Sequence, residues 1–181
     1  MPVFAFPDHT LESAPDAARR TMAAVAEKQG HLPSAVARLA TSPELLDGFL
    51  RSSALFESTT LDPLSREVVI MTMATGNDCH ICVAMHTAKL TALGADPGLI
   101  AALREQRALP DERLEGVREF TLTVLATAGA VDDAALRAFL AHGYTARNAL
   151  EVVLGIGTYT MSTLANRMTG APVDPQLAAF A

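Results

Sequence analysis

The chain of 181 residues carries only two cysteines, Cys79 and Cys82, three residues apart, with His86 four residues further on. On a helix each residue turns about 100 degrees, so Cys82 lies about 60 degrees from Cys79 and His86 falls between them in azimuth. Cα atoms three apart on a helix are roughly 5 Å from each other, inside the window of about 4.4 to 6.8 Å that a disulfide tolerates. The pair can therefore form and break a disulfide. Both thiols fall in the first turn of their segment, where free amide groups and the helix dipole favour the thiolate, the nucleophilic form. His86 is one turn from Cys82 but about 10.5 Å of rise from Cys79, so it reaches only Cys82. An adjacent imidazole base is a more directional activator than helix position, which assigns Cys82 as nucleophile and Cys79 as resolving thiol.

These residues need two elements to position them. Asp62-Pro63 is a helix start, an N-cap followed by a first-turn proline, and the segment 64–75 is apolar nearly all round, as in a buried helix. Gly76-Asn77-Asp78 reads as a turn, with Asp78 as the cap of a second helix over 79–93 that Gly94 closes. In such a hairpin Glu67, nine residues before Gly76, and His86, eight after Asp78, both lie roughly 12 to 14 Å from the turn. A carboxylate level with a histidine can orient the imidazole and stabilise its protonated form, giving a Glu67, His86, Cys82 relay.

Helical spacing and end signals recur along the rest of the chain, and alternating β-branched runs are missing, so the expected fold is all-α. Segments are expected over about 11–29 (ending at Gly30), from Ser42-Pro43-Glu44 to about Ser58, and over 97–105, 111–127, 132–141 and 145–167, with 172–181 as a tail. Half the residues are hydrophobic but only 5% aromatic, so Ala, Leu, Val and Met fill the interior. Met71, Met73 and Met85 are expected there. Glu67-Val68-Val69-Ile70 has an echo in Glu151-Val152-Val153-Leu154. Glu151, His9, His31 and His142 are read as structural or solvated. No linker divides the chain, which is expected to be one domain over 1–181.

The net charge of −6 is spread without a basic block, which speaks against a nucleic-acid partner. The longest charge-free run, 152–166, is 15 residues, too short for a membrane span, and residues 1–7 lack a signal-peptide pattern. A lone cysteine pair is an ordinary cytosolic redox motif, so the cytoplasm is the expected compartment.

Glu67, eleven residues, Cys79-x-x-Cys82, three residues and His86 together resemble the signature of the alkylhydroperoxidase D-like group of the carboxymuconolactone decarboxylase superfamily. The resemblance covers about residues 61–101; Tyr159 and Asn166 look loosely similar to the family's last helix. It implies an all-helical fold that assembles as a trimer or hexamer, and a peroxidase cycle in which the second cysteine attacks a hydroperoxide. It also implies an external dithiol reductant, a lipoylated or thioredoxin-like protein; no bound cofactor or metal is expected. Some members have a histidine just before the second cysteine; here Ile81 stands there and His80 follows the first.

Rival readings remain open on the sequence. Cys79, Cys82 and His86, with Glu67 or His80, are possible zinc ligands, although no second ligand pair accompanies them. A non-redox decarboxylase-like enzyme is compatible with the same fold. Two simple core cysteines, or a non-enzymatic helical interaction module, are the plainest alternatives.

Overall fold

The computed structural model of the chain describes residues 6–181, so most of the leader reading at 1–7 lies outside the described residues. Among the described residues nine helices follow in order: α1 (Asp16–Gln29), α2 (Ser34–Leu39), α3 (Pro43–Glu57), α4 (Pro63–Gly76), α5 (His80–Ala92), α6 (Pro97–Arg104), α7 (Glu112–Ala126), α8 (Asp133–Ala141) and α9 (Ala146–Thr169). A 3-10 helix, Pro175–Phe180, ends the chain, and no strand occurs among the described residues. The fold is all-α.

Local chemistry accounts for most of these boundaries. The side chains of Ser42, Asp62, Asp111, Asp132 and Thr145 each accept a hydrogen bond from a first-turn amide, and proline opens α3, α4 and α6. Each cap satisfies an amide that the helix cannot. At Gly94 the chain leaves α5 with φ 72°, a conformation that a side chain would strain.

Helix α4 is the axis of the molecule. Val68, Val69, Ile70 and Met71 are buried on all sides, with α5, α7 and α9 against it. Gly155 lets α3, α4 and α9 close on one another: a Cβ there would stand 2.7 Å from the Phe56 ring and 2.9 Å from Val69 Cγ1. Phe56 is fully buried at this junction, and truncating such a ring costs about 3–5 kcal/mol.

Three sequence expectations need correction. Asp78 does not cap α5. The N-cap is Cys79, while Asp78 takes a left-handed φ of 52° and turns its carboxylate outward to Arg167 Nη1 at 2.7 Å. Arg167 also donates to the carbonyls of Asn77 (2.8 Å) and Asp78 (3.1 Å), and Asn77 Nδ2 donates to Thr163 Oγ1 at 2.8 Å. The turn is thus clamped to α9, which fixes where α5 begins. The expected helix over 11–29 starts only at Asp16, since Pro15 takes the N-cap place. Nor is the C-terminal segment a loose tail. The 3-10 helix packs on α5, Arg104 Nη1 donates to the Phe180 carbonyl at 2.7 Å, and the buried Asp174 accepts from the Ser34 amide at 3.0 Å.

Candidate functional site

The hairpin of α4 and α5 brings Glu67 and His86 into direct contact. His86 Nδ1 donates to Glu67 Oε2 at 2.7 Å, and both residues are buried. The second carboxylate oxygen, Oε1, accepts from Lys89 Nζ at 3.0 Å, and the same ammonium reaches Glu57 Oε1 on α3 at 2.9 Å. Burial alone would raise the Glu67 carboxyl, but the charge and hydrogen bond of His86, with those of Lys89, outweigh it and hold the group below the ordinary glutamate range. A hydrogen-bonded chain therefore runs from the half-exposed Glu57 through Lys89 and Glu67 to the buried imidazole.

Both thiols are free and buried. They differ in what surrounds them. Cys82 opens on a cavity that His86 also lines, whereas Cys79 sits behind it among Ala35, Ala74 and Ala171. Asn166 Nδ2 donates to Cys82 Sγ at 3.4 Å, and the Ser162 hydroxyl lies 3.8 Å from the same sulfur. The neighbouring Cys79 thiol is the leading influence on the ionisation of Cys82; burial opposes it, and Asn166, the His86 charge and Ser162 add to it. Together they lower Cys82 to about 6, whereas the same contact and burial push Cys79 far up. One thiol is thereby poised as thiolate and its neighbour as the proton-bearing partner.

The edge of Tyr159 meets the face of the His86 ring, with centroids 5.5 Å apart, and its hydroxyl lies 3.4 Å from Ser53 Oγ. The cavity above has a volume of about 660 Å³. Its floor is Cys82, His86, Ser162 and Asn166; its far wall, with Val25, Leu39 and Phe49, comes from α1, α2 and α3. The N-terminal third, which contributes nothing to the cysteine motif, thus supplies the apolar half of the site.

All four sequence candidates gather here. His80 is exposed and takes no part. Lys89, Ser162 and Asn166 were not among the candidates, although signals for them exist. Lys89 is three residues after His86 on the same helical face, and Tyr159, Ser162 and Asn166 form a polar stripe at i, i+3 and i+7 inside the charge-free run of α9. Among the described residues no three His, Cys, Asp or Glu side chains converge as a metal ion requires. The Nδ1 of His86 is turned to Glu67 instead.

Residues 43–112, from α3 to the start of α7, match the carboxymuconolactone decarboxylase family. The chain thus carries a match to that family over this segment. Its fold is alkylhydroperoxidase D-like: it superposes with a TM-score of 0.83 on the alkylhydroperoxidase AhpD core of a peroxidase-related protein from Ralstonia eutropha, at 22% identity over 98% of this chain and 95% of the other. A peroxidase-related protein from a Silicibacter species gives 0.80 at 21% identity, covering 96% and 93%. The debrominase Bmp8, in a variant bound to 2,3,4-tribromopyrrole, gives 0.77 at 12% identity, covering 99% and 96%. No curated protein is similar enough to count as a relative. Among the described residues no helix is long and apolar enough to cross a membrane.

Proposed function

We propose that this protein is a thiol-dependent peroxidase and disulfide oxidoreductase that reduces organic hydroperoxides. The observation that carries the reading is the asymmetry of the thiol pair: only Cys82 opens on the cavity, and the groups around it favour its thiolate. His86, oriented by Glu67, takes the Cys82 proton. The thiolate attacks the terminal oxygen of the hydroperoxide, the O–O bond breaks, and the leaving alkoxide receives that proton. Cys82 becomes a sulfenic acid and the peroxide an alcohol. Cys79 then attacks the sulfenic sulfur and water leaves, giving the Cys79–Cys82 disulfide. An external dithiol, lipoylated or thioredoxin-like, restores both thiols.

Glu67 and His86 act here as a positioning pair and proton store, and the Glu57 to His86 chain gives the buried site a path for protons to solvent. A reduced cysteine pair with a lowered thiol suits a cytoplasmic protein. Leu150, Val153, Leu164 and Met168 are exposed along α9, and a homo-oligomer, trimer or hexamer, is the natural way to cover them. Consumption of cumene hydroperoxide coupled to a dithiol tests the reading. Turnover that survives in both Cys82→Ser and Cys79→Ser would refute it.

A carbon–halogen substrate is the second reading, favoured by the shared fold with a debrominase and by a cavity wide enough for a halogenated ring. Bromide release from a bromopyrrole, with no peroxide consumption, would select it.

A further inference from the structure

The cavity is far larger than its chemistry requires. Hydrogen peroxide or a short alkyl hydroperoxide needs only the corner at Cys82, whereas about 660 Å³ is the volume of sites that enclose whole organic ligands. Val25, Val36, Leu39 and Phe49 make its wall apolar.

Two further features mark what fills it. At the floor, Asn166 is buried and lines the cavity; its Nδ2 is engaged by Cys82, but its Oδ1 has no hydrogen-bond partner. Buried acceptors are rarely left alone, and this one stands beside the reactive sulfur, where a hydroperoxide O–H would donate to it. At the mouth, Arg20 and Lys28 lie two turns apart on the α1 face that lines the cavity, and among the described residues neither is ion-paired. Lys89, the third cation of the lining, is already held between Glu57 and Glu67. Two unpaired cations border an apolar cavity in a chain whose net charge is −6.

We infer that the substrate is a hydroperoxide of a long-chain carboxylic acid, with its O–OH at Cys82 and Asn166, its chain along α1, α2 and α3, and its carboxylate at Arg20 and Lys28. This rests on the peroxidase reading for the reaction but not for the binding. The terminal oxygen passes to Cys82 as described, and the hydroxy acid leaves.

Binding of unreactive probes separates the two. Decanoate and 1-decanol share a chain and differ in the head group. In calorimetric titration of the reduced protein, decanoate is expected to bind about tenfold more tightly than 1-decanol, which converts to about 1.4 kcal/mol. Its advantage should shrink as salt is raised. In R20E/K28E that advantage should disappear, and linoleic acid hydroperoxide should lose its lead in kcat/KM over its methyl ester. Val25→Trp, which fills the cavity, should weaken both probes. Equal affinity for the two probes in the wild-type protein, or no binding of either, overturns the inference whatever the variants do. Tight decanoate binding without peroxide consumption would leave the inference standing as a binding site and remove the peroxidase reading; peroxide consumption with no preference for the acid does the reverse.

Discussion

Two glutamates occupy matching places in this molecule, and their surroundings could hardly differ more. Glu67 in α4 and Glu151 in α9 each open a Glu-Val-Val-aliphatic run near the start of a long helix, and both are buried. Glu151 is satisfied by groups that do not titrate near neutrality. It accepts from the amides of Thr60 (3.0 Å) and Leu61 (3.2 Å), the Thr60 hydroxyl (2.8 Å), Asn148 Nδ2 (2.9 Å) and Arg147 Nε (2.9 Å). It ties the α3–α4 connection to α9. The partners of Glu67 are His86 and Lys89, which both carry exchangeable protons. A buried carboxylate is structural or chemical according to what faces it, and a shared tetrapeptide does not decide which.

Substitutions can break this comparison, and the largest effect lies at the thiol that the Glu67 side serves. Cys82→Ser should reduce peroxide consumption to background, read as the rate of reductant oxidation, with the fold intact by circular dichroism. Next, Glu67→Gln should lower kcat/KM by about a hundredfold through loss of the oriented imidazole, whereas Glu151→Gln should leave the rate unchanged. The latter should instead cost about 1–3 kcal/mol in urea unfolding, because an amide nitrogen cannot accept from Thr60 or Leu61.

The pH dependence sharpens the contrast. With Cys82 lowered to about 6, the rate of its alkylation by iodoacetamide should rise as pH climbs through about 6 and then level. The same depression stabilises the folded state: that contribution is complete above the ordinary thiol value of 9.0 and lost as pH falls through about 6. Glu67 and Glu151 are both held low, so their contributions are complete above the ordinary value of 4.5 and vanish in acid. Glu151→Gln should therefore flatten the acid limb of the stability profile. The smallest effect belongs to Lys89→Met. This ammonium is 41% exposed, so solvent screening leaves about 0.2–1 kcal/mol of stability at stake. The chief sign should be an upward shift of the Glu67 carboxyl, followed by carbon-13 NMR.

Much of the site was legible in the sequence because its decisive geometry is local. Asp62-Pro63, Gly76-Asn77 and Gly94 mark the ends of two adjacent helices within a few residues, and a fixed rise per residue then makes Glu67 and His86 level. Asp78 shows the limit even there. Its left-handed backbone is held by Arg167, 89 residues away, through both its carbonyl and its carboxylate. The same applies to Asn166 and Ser162, which reach Cys82 only because α9 packs against α4 with Gly155 at the crossing. The apolar wall from α1 to α3 carries no motif at all. Helical spacing shows that a face is apolar but not whether it covers solid core or a cavity.

The most direct test of the division of labour between the two sulfurs is intact mass after a single equivalent of hydroperoxide is added to fully reduced protein. The wild-type chain should lose two hydrogens as the disulfide forms, Cys79→Ser should gain one oxygen at Cys82, and Cys82→Ser should stay unchanged. An oxygen gained by Cys82→Ser while Cys79→Ser remains unmodified would contradict the account, because the attacking sulfur would then be the one that the cavity does not reach.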